Sequence, residues 1–231
     1  MNPLSHKGER RDDVTPGGAE APSAHPFAIE LCERLQPRAH VLLLGIGSGR
    51  NVPPLLAAGF GIDAVDSDPG RALASATCFA AQSSVRVACA PYAGPLPFAH
   101  RYDAALSTHA LLHGTLQAIA AAVNAVRDGL LAGAPFFATL GSKNDSRFGA
   151  DERVDDETFV PLRGAERGIA HTYVGADGAR ALFADFVVES LEEVSGGTGV
   201  GRWAHDDADA STIVHWYVRA RRAGSPRQGS L

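Results

Sequence analysis

The chain has 231 residues, of which 45% are hydrophobic and 20% charged, as expected for a globular protein with one sizeable core. Its net charge of −5 comes without a sustained run of Lys or Arg, which argues against a nucleic acid or a membrane surface as partner. Three cysteines without CxxC spacing predict reduced, mostly buried thiols rather than a disulfide framework or a zinc site. Because no apolar signal segment or membrane-spanning run is present, we expect a cytoplasmic protein, either a monomer or a homodimer.

The predicted elements alternate between helix and strand from residue 26 to residue 141. A polar leader over 1–22 precedes one domain over 23–222, and 223–231 form a flexible tail. In chain order we expect a helix over 26–36, a strand at Val41–Leu44, a short helix over 51–58, a strand at Ile62–Val65, a helix over 69–82, strands at Val85–Cys89 and Tyr102–Ser107, a helix capped by Thr115, and a strand at Pro135–Leu140. This alternation predicts an α/β fold with a doubly wound, mostly parallel sheet.

The pattern changes after residue 141. A long segment over 142–175 has little apolar periodicity, and a helix near 177–184 follows it. The last two strands, Phe186–Val194 and Ile213–Ala220, are joined without a helix, so they predict an antiparallel hairpin at the sheet edge. The sheet would then have seven strands. The acidic run HDDAD at 205–209, within the hairpin connection, is interpreted as a solvated tip.

A glycine cluster follows the first predicted strand in the stretch VLLLGIGSGRN. Gly45, Gly47 and Gly49 stand at every second position, where backbone freedom and the lack of a Cβ would suit a close ligand. Asp66 ends the next strand, seventeen residues after Gly49, where a carboxylate can accept both hydroxyls of a ribose. A dinucleotide site prefers a third glycine where this chain has Arg50, so the spacing favours S-adenosylmethionine.

In these motifs the chain resembles the class I, Rossmann-like S-adenosylmethionine-dependent methyltransferases. The resemblance rests on VLLLGIGSGRN, on AVDSDP, on LPFAHRYDAALSTHALLH at 96–113, on RDGLLAGAPFFATL at 127–140, and on the terminal hairpin. It implies S-adenosylmethionine as methyl donor and S-adenosylhomocysteine as product. These motifs specify the fold and the cofactor but not the acceptor.

The resemblance also implies roles for individual residues. The three glycines would line the methionine and ribose portions, Asp66 would bind the ribose hydroxyls, and Ser67 would lie beside the adenine. Ser107 and Thr108 would end the fourth strand near the sulfonium. Members commonly have an acid or amide after the third strand that reads adenine, but ACAPYAGPLPF has neither, so backbone groups or stacking on Tyr92 would take that role.

Two histidines are the natural candidates for a general base at the acceptor. His109 follows the fourth strand and His113 lies four residues later, so a helical segment would place both on one side. One of them could orient or deprotonate an acceptor, or both could simply bond the loop backbone. A metal would also suit this spacing, but no third ligand lies nearby in the sequence, so no metal is predicted.

The segment over 142–175 is too long for a simple connection, which predicts a lid or a substrate-binding loop. It resembles the same region of a subset of the family related to tellurite-resistance-type and small-molecule methyltransferases, in which a Thr-Phe pair and a later His-x-aromatic are usual. Here these are Thr158-Phe159 and His171-Thr172-Tyr173. Arg147, Phe159, His171 and Tyr173 are the candidates for contact with a small-molecule acceptor.

Two other functions stay open on the sequence alone. A catalytically silent module that binds S-adenosylmethionine would keep the glycine loop and Asp66. An NAD(P)-dependent oxidoreductase would need the same fold, and Arg50 argues against it.

Overall fold

The computed structural model describes residues 23–164, 166–196 and 212–224. Within these ranges the elements, in chain order, are α1 (Pro26–Arg34), β1 (His40–Leu44), α2 (Val52–Ala57), β2 (Gly61–Asp66), α3 (Pro69–Cys78), β3 (Val85–Cys89), β4 (Ala104–Ser107), α4 (Leu116–Gly129), β5 (Pro135–Ser142), β6 (Glu152–Arg153), β7 (Thr158–Val160), β8 (His171–Val174), α5 (Ala176–Leu182), β9 (Phe186–Ser195) and β10 (Val214–Arg222).

The seven predicted strands form one sheet in the order β3-β2-β1-β4-β5-β10-β9. The first five are parallel, as the pairs β2–β3, β1–β2, β1–β4 and β4–β5 show. β10 runs antiparallel to both β5 and β9. The predicted fold class, a mostly parallel sheet with a C-terminal antiparallel hairpin, is therefore confirmed.

Alternate residues of β1 are buried on opposite faces of the sheet. Val41 and Leu43 belong to the cluster that includes Phe27 and Leu31 of α1 and Leu55 of α2. Leu42 and Leu44 belong to the cluster that receives α4 and α5 on the other face. Because both faces are covered, the strand is a continuous apolar run, and its carboxyl end meets the ends of β2 and β4 at one edge.

Side-chain caps fix where three helices begin. Nδ1 of His25 accepts from the N–H of Phe27 before α1, and Asp68 and Thr115 accept from backbone N–H groups at the starts of α3 and α4. The Asp68 cap lies directly after β2, and the Thr115 cap lies in the connection between β4 and α4. Both therefore also fix the chain near the carboxyl edge of the sheet.

The segment over 142–175 contains three short strands that the sequence did not predict. β8 pairs in parallel with the last two residues of β5, beyond the end of β4, and antiparallel with β7, which pairs with β6. This pairing explains why β5 extends to Ser142 rather than ending at Leu140. Periodicity did not indicate these strands because each has only two to four residues.

The expectation of mostly buried thiols is wrong for two of the three cysteines. Cys78 and Cys89 are exposed and Cys32 is half-buried. Cys89 ends β3, the edge strand, and Cys78 ends α3, so neither lies beneath another element. No helix in the described ranges combines the length and apolar character needed to cross a bilayer.

Candidate functional site

The glycine loop after β1 has a left-handed backbone at all three predicted positions, with φ of 82° at Gly45, 53° at Gly47 and 78° at Gly49. A Cβ on Gly45 would lie 2.3 Å from Cβ of Ala110, and one on Gly49 would lie 2.7 Å from the ring of Phe79. Only at Gly47 would a Cβ point into open space. Two glycines therefore permit close packing of the protein on itself, and Gly49 is not part of the adjoining pocket wall.

Asp66 is buried at the carboxyl end of β2 and joins this strand to the glycine loop. Its Oδ2 accepts from the N–H of Gly47 at 2.9 Å, and its Oδ1 accepts from the N–H of Asp68 at 3.0 Å. An ionised carboxylate offers about four acceptor positions, so the two oxygens can still accept hydrogen bonds from a ligand. Asp66 is 3% exposed and lines the pocket, and its binding of ribose hydroxyls stays a prediction.

Tyr92 lies against the same carboxylate. Burial and the negative charge of Asp66 raise the pKa of the Tyr92 hydroxyl to about 12, and this hydroxyl is also bonded to Ser67. The phenol is therefore protonated near neutral pH and available as a hydrogen-bond donor. Ser67 itself is exposed and does not line the pocket, although its bond to Tyr92 keeps it beside the pocket wall.

The pocket lies at the carboxyl edge of the sheet, between the glycine loop, Asp66, Tyr92 and the segment 108–113. Arg50 and Arg71 also line it, and burial lowers the pKa of Arg50. Two cationic side chains and one carboxylate thus share a small space. Such an arrangement suits a ligand that carries a carboxylate at one end and hydroxyl groups at the other.

Ser107 and Thr108 have different surroundings at the end of β4. The Ser107 hydroxyl donates to the carbonyl of Leu44 at 3.0 Å, so it joins β4 to β1 and lies outside the pocket wall. Thr108 lines the pocket and accepts from Nδ2 of Asn51 at 2.9 Å. Oδ1 of Asn51 accepts from the N–H of His25, which connects this wall to the start of α1.

His109 lines the pocket with a left-handed backbone, at φ 56°. Its N–H donates to the hydroxyl of Thr139 at 2.7 Å, and its ring lies 4.8 Å from that of His215 and 5.6 Å from that of His25. Non-glycine residues in this conformation are uncommon and cluster at functional positions. His109 is 9% exposed, and the part of its surface that remains accessible adjoins the pocket that it lines.

The segment between His109 and His113 is a turn and not a helix, so the expected shared helical face does not form. Both histidines nevertheless line the pocket. The His113 ring lies 4.8 Å from the ring of His171, and the two residues form a β-bridge. His113 thus connects the pocket to the segment over 142–175.

Glu166 lies between the two histidines. Its Oε2 is 3.0 Å from Nε2 of His171, and its Oε1 is 3.4 Å from Nε2 of His113. Burial opposes ionisation of Glu166, but the two histidines outweigh it and hold the pKa of this carboxyl well below its usual value. Burial lowers the pKa of His113, with Glu166 opposing, so this ring is neutral near pH 7.

The other candidate acceptor residues lie inside the segment and not on the pocket wall. Arg147 makes a bidentate pair with Asp145, with Nε to Oδ1 at 2.8 Å and a terminal nitrogen to Oδ2 at 2.9 Å. Phe159 and Tyr173 are 7% and 1% exposed and pack with Phe148. Contact between these residues and an acceptor, like that of the buried His171, stays a prediction.

Sequence reasoning missed four residues at this edge. Arg50 and Asn51 directly follow the glycine loop, and Arg71 lies at the start of α3. Their closeness to these motifs could have identified all three from the sequence. Glu166 had no such signal, because it lies 53 residues after His113 and is surrounded by exposed charges. The HDDAD run at 205–209 lies outside the described residues.

No protein-family model matches the sequence, and no curated protein matches it significantly. Solved structures do match. A S-adenosylmethionine-dependent methyltransferase from Methanosarcina mazei is 14% identical with a TM-score of 0.67, over 88% of this chain and 100% of that one. TehB from Haemophilus influenzae is 12% identical with a TM-score of 0.62, over 86% and 62%.

A third match is the 1,6-didemethyltoxoflavin-N1-methyltransferase of Burkholderia thailandensis, solved with 1,6-didemethyltoxoflavin and S-adenosylhomocysteine. It is 20% identical with a TM-score of 0.59, over 86% of this chain and 77% of that one. At these identities the likeness concerns the fold. The chain has the Rossmann-like fold of class I S-adenosylmethionine-dependent methyltransferases, as the resemblance of its motifs predicted.

Proposed function

We propose that this protein is a S-adenosylmethionine-dependent methyltransferase that acts on a small-molecule acceptor. The observation that carries the proposal is the buried Asp66 carboxylate, which joins the end of β2 to the glycine loop and lines the pocket at the carboxyl edge of the sheet. The fold and the donor set around this carboxylate support the cofactor assignment. The small-molecule acceptor is supported by the 1,6-didemethyltoxoflavin bound in the Burkholderia neighbour.

The residues on the pocket wall would divide the cofactor between them. The Asp66 oxygens would accept from the ribose hydroxyls, and the open face of Gly47 would lie against the ligand backbone. Arg50 and Arg71 supply positive charge for the carboxylate of the methionine portion. Tyr92, with Ser67 bonded to it, is the aromatic surface for the adenine, in place of the acid or amide absent from residues 88–98.

The bound cofactor supplies an activated methyl group on a sulfonium. The protein must then hold the acceptor in line with that group, and positioning of this kind is worth about 7–11 kcal/mol in favourable cases. His109 is the proposed base for an acceptor that carries a proton, since it lines the pocket at the end of β4. Thr108 and Asn51 would fix the wall on which His109 stands.

A methyl-transfer assay distinguishes this proposal from a silent S-adenosylmethionine-binding module and from an NAD(P)-dependent oxidoreductase. Purified protein is incubated with S-adenosylmethionine labelled on the methyl group and with a small-molecule extract of cells, and the label is followed into low-molecular-mass products. The proposal predicts label in products with wild-type protein and a strong decrease with Asp66→Ala. A silent binding module would bind the cofactor and transfer no label. An oxidoreductase would instead retain a nicotinamide cofactor, visible by its absorbance.

A further inference from the structure

The cluster of His113, Glu166 and His171 holds more acceptors than donors. Nδ1 of His171 lies 2.7 Å from the carbonyl of Ile169, which can only accept, so this nitrogen carries the ring proton. In the neutral ring Nε2 is then a lone pair, yet it faces Oε2 of Glu166 at 3.0 Å. Two acceptors at this distance require a shared proton or a metal ion between them.

His113 supplies a third atom that can bind a metal ion. Its Nε2 is buried and makes no hydrogen bond within the described part of the chain, although it lies 3.4 Å from Oε1 of Glu166. One ligand atom from each of the three residues lies within 4.8 Å of the others. Atoms that share a tetrahedral zinc ion are about 3.3 Å apart, so small side-chain movements would bring the three to coordination distance.

We propose that His113, Glu166 and His171 form a binding site for a divalent transition metal ion, for which zinc is the best-suited ion. Two imidazoles and one carboxylate are a ligand set that zinc accepts, and three protein ligands leave a fourth position for another molecule. The Ile169 carbonyl orients the His171 ring and directs its Nε2 at the ion, as partners of metal-binding histidines commonly do. The three ligands come from the turn after β4, the segment before β8 and β8 itself.

Nearby cations reduce the affinity of this site but do not fill it. A terminal nitrogen of Arg147 lies 3.8 Å from Oε2 of Glu166. The charge of Arg147 is balanced by its bidentate pair with Asp145, and the Asp145 side chain is fully buried. Arg71 lies close enough to lower the pKa of His113.

The position of the site suggests a role, which rests on the proposed function. His113 belongs both to the cluster and to the pocket wall, so an ion there could bind an acceptor atom through its open position. A thiol or hydroxyl acceptor would lose its proton to solvent on binding as an anion. Its lone pair would then form the new bond to the methyl carbon while the carbon–sulfur bond breaks and its electron pair stays on sulfur. Because zinc prefers soft thiolate ligands to alkoxides, thiol compounds are the acceptor class that the site favours.

Metal binding can be tested without any methyl acceptor. Full-length protein is stripped with a chelator and titrated with zinc alone by calorimetry, and the bound metal is counted after dialysis. We expect one equivalent for wild type and at least tenfold weaker binding for Glu166→Gln and His171→Gln. His100→Gln is the matched control, because this exposed histidine pairs with His40 and is not part of the pocket wall at the carboxyl edge.

The outcomes separate this proposal from the methyltransferase proposal. Loss of the zinc equivalent in Glu166→Gln and His171→Gln but not in His100→Gln supports the site, whatever the acceptor proves to be. Wild-type protein that fails to saturate with zinc, or variants that bind it like wild type, overturns the site, and a proton shared by Glu166 and His171 then explains their contact. Binding of S-adenosylhomocysteine is measured on the same samples, so that its presence or absence tests the cofactor separately.

Discussion

The two halves of the pocket are built in different ways. On the cofactor side, the glycine loop and Asp66 lie at the ends of adjacent parallel strands, so their proximity follows from the order of strands in the sheet. On the acceptor side, His113 meets Glu166 and His171 only because β8 pairs beyond the end of β4. The first half can therefore be predicted from local motifs. The second depends on contacts between distant residues, and it is where the sequence is least informative.

The largest expected effect concerns His109, which stands between the two halves. Because its φ is 56°, Asn is a better replacement than Ala, since Asn tolerates the left-handed region. If His109 is the base, His109→Asn should lower single-turnover methyl transfer by about 10²–10⁴-fold and leave cofactor affinity nearly unchanged. His100→Asn serves as control. Rates within tenfold of wild type and parallel pH profiles would remove His109 from the mechanism.

The next prediction concerns the stability of the whole protein at acidic pH, to which His25, beside the cofactor half, contributes. Burial, with the charges of Arg50, His215 and Arg219, lowers the pKa of His25 to about 3. Between this value and the ordinary value near 6.5, the unfolded chain binds a proton that the folded chain does not. The free energy of unfolding should therefore fall as pH decreases through this window, by up to about 1.4 kcal/mol per pH unit from this group.

The variant His25→Asn isolates this contribution, because Asn can still cap α1 but does not titrate. The free energy of unfolding is measured with urea between about pH 4.5 and pH 7, which covers the upper part of this pH window. We expect it to depend less steeply on pH in His25→Asn than in wild type. Equal slopes for the two proteins would contradict the buried, neutral state of His25.

A smaller effect is expected for the connection between the acceptor half and the turn after β4. The Thr172 hydroxyl donates to the carbonyl of Gly114 at 2.6 Å and shares a hydrogen bond with Thr158 at 2.9 Å, and both side chains are buried. Thr172→Val should lower the free energy of unfolding by about 1–3 kcal/mol, because it leaves buried polar groups without a partner.

Two further variants sharpen this prediction. Replacing both Thr158 and Thr172 with Val should recover part of the lost free energy of unfolding, because no buried hydroxyl is then left without its partner hydroxyl. Thr77→Val is the control, because its exposed hydroxyl bonds the carbonyl of Leu73 within α3. The acceptor KM should rise in Thr172→Val while the Kd for S-adenosylhomocysteine stays the same. A change in that Kd instead would mean that the two halves of the pocket are not separate.

The sequence predicted the sheet because strands such as Val41–Leu44 are buried on both faces and read as apolar runs, while α4 has a regular apolar stripe. It predicted Asp66 because one acidic residue ends the second strand. It did not predict that Ser107 bonds the Leu44 carbonyl, or that Gly45 and Gly49 serve packing against Ala110 and Phe79, because identity alone does not show which neighbour a small residue meets. Nor could it group Glu166 with His113, since strands of two to four residues carry no period.

The most direct test of the cofactor assignment is the binding of S-adenosylhomocysteine, measured by calorimetry on wild type and on three carboxylate variants. Asp66→Asn removes the charge proposed to accept the ribose hydroxyls, whereas Asp68→Asn makes the same change two residues away, where Asn is an equally good helix cap. We expect low-micromolar binding for wild type and Asp68→Asn, and no binding of NAD. We expect a loss of about 2–4 kcal/mol, or about 30–1000-fold in Kd, for Asp66→Asn and Asp66→Ala. Equal affinity in all four proteins, or wild-type binding of NAD in place of S-adenosylhomocysteine, would contradict it.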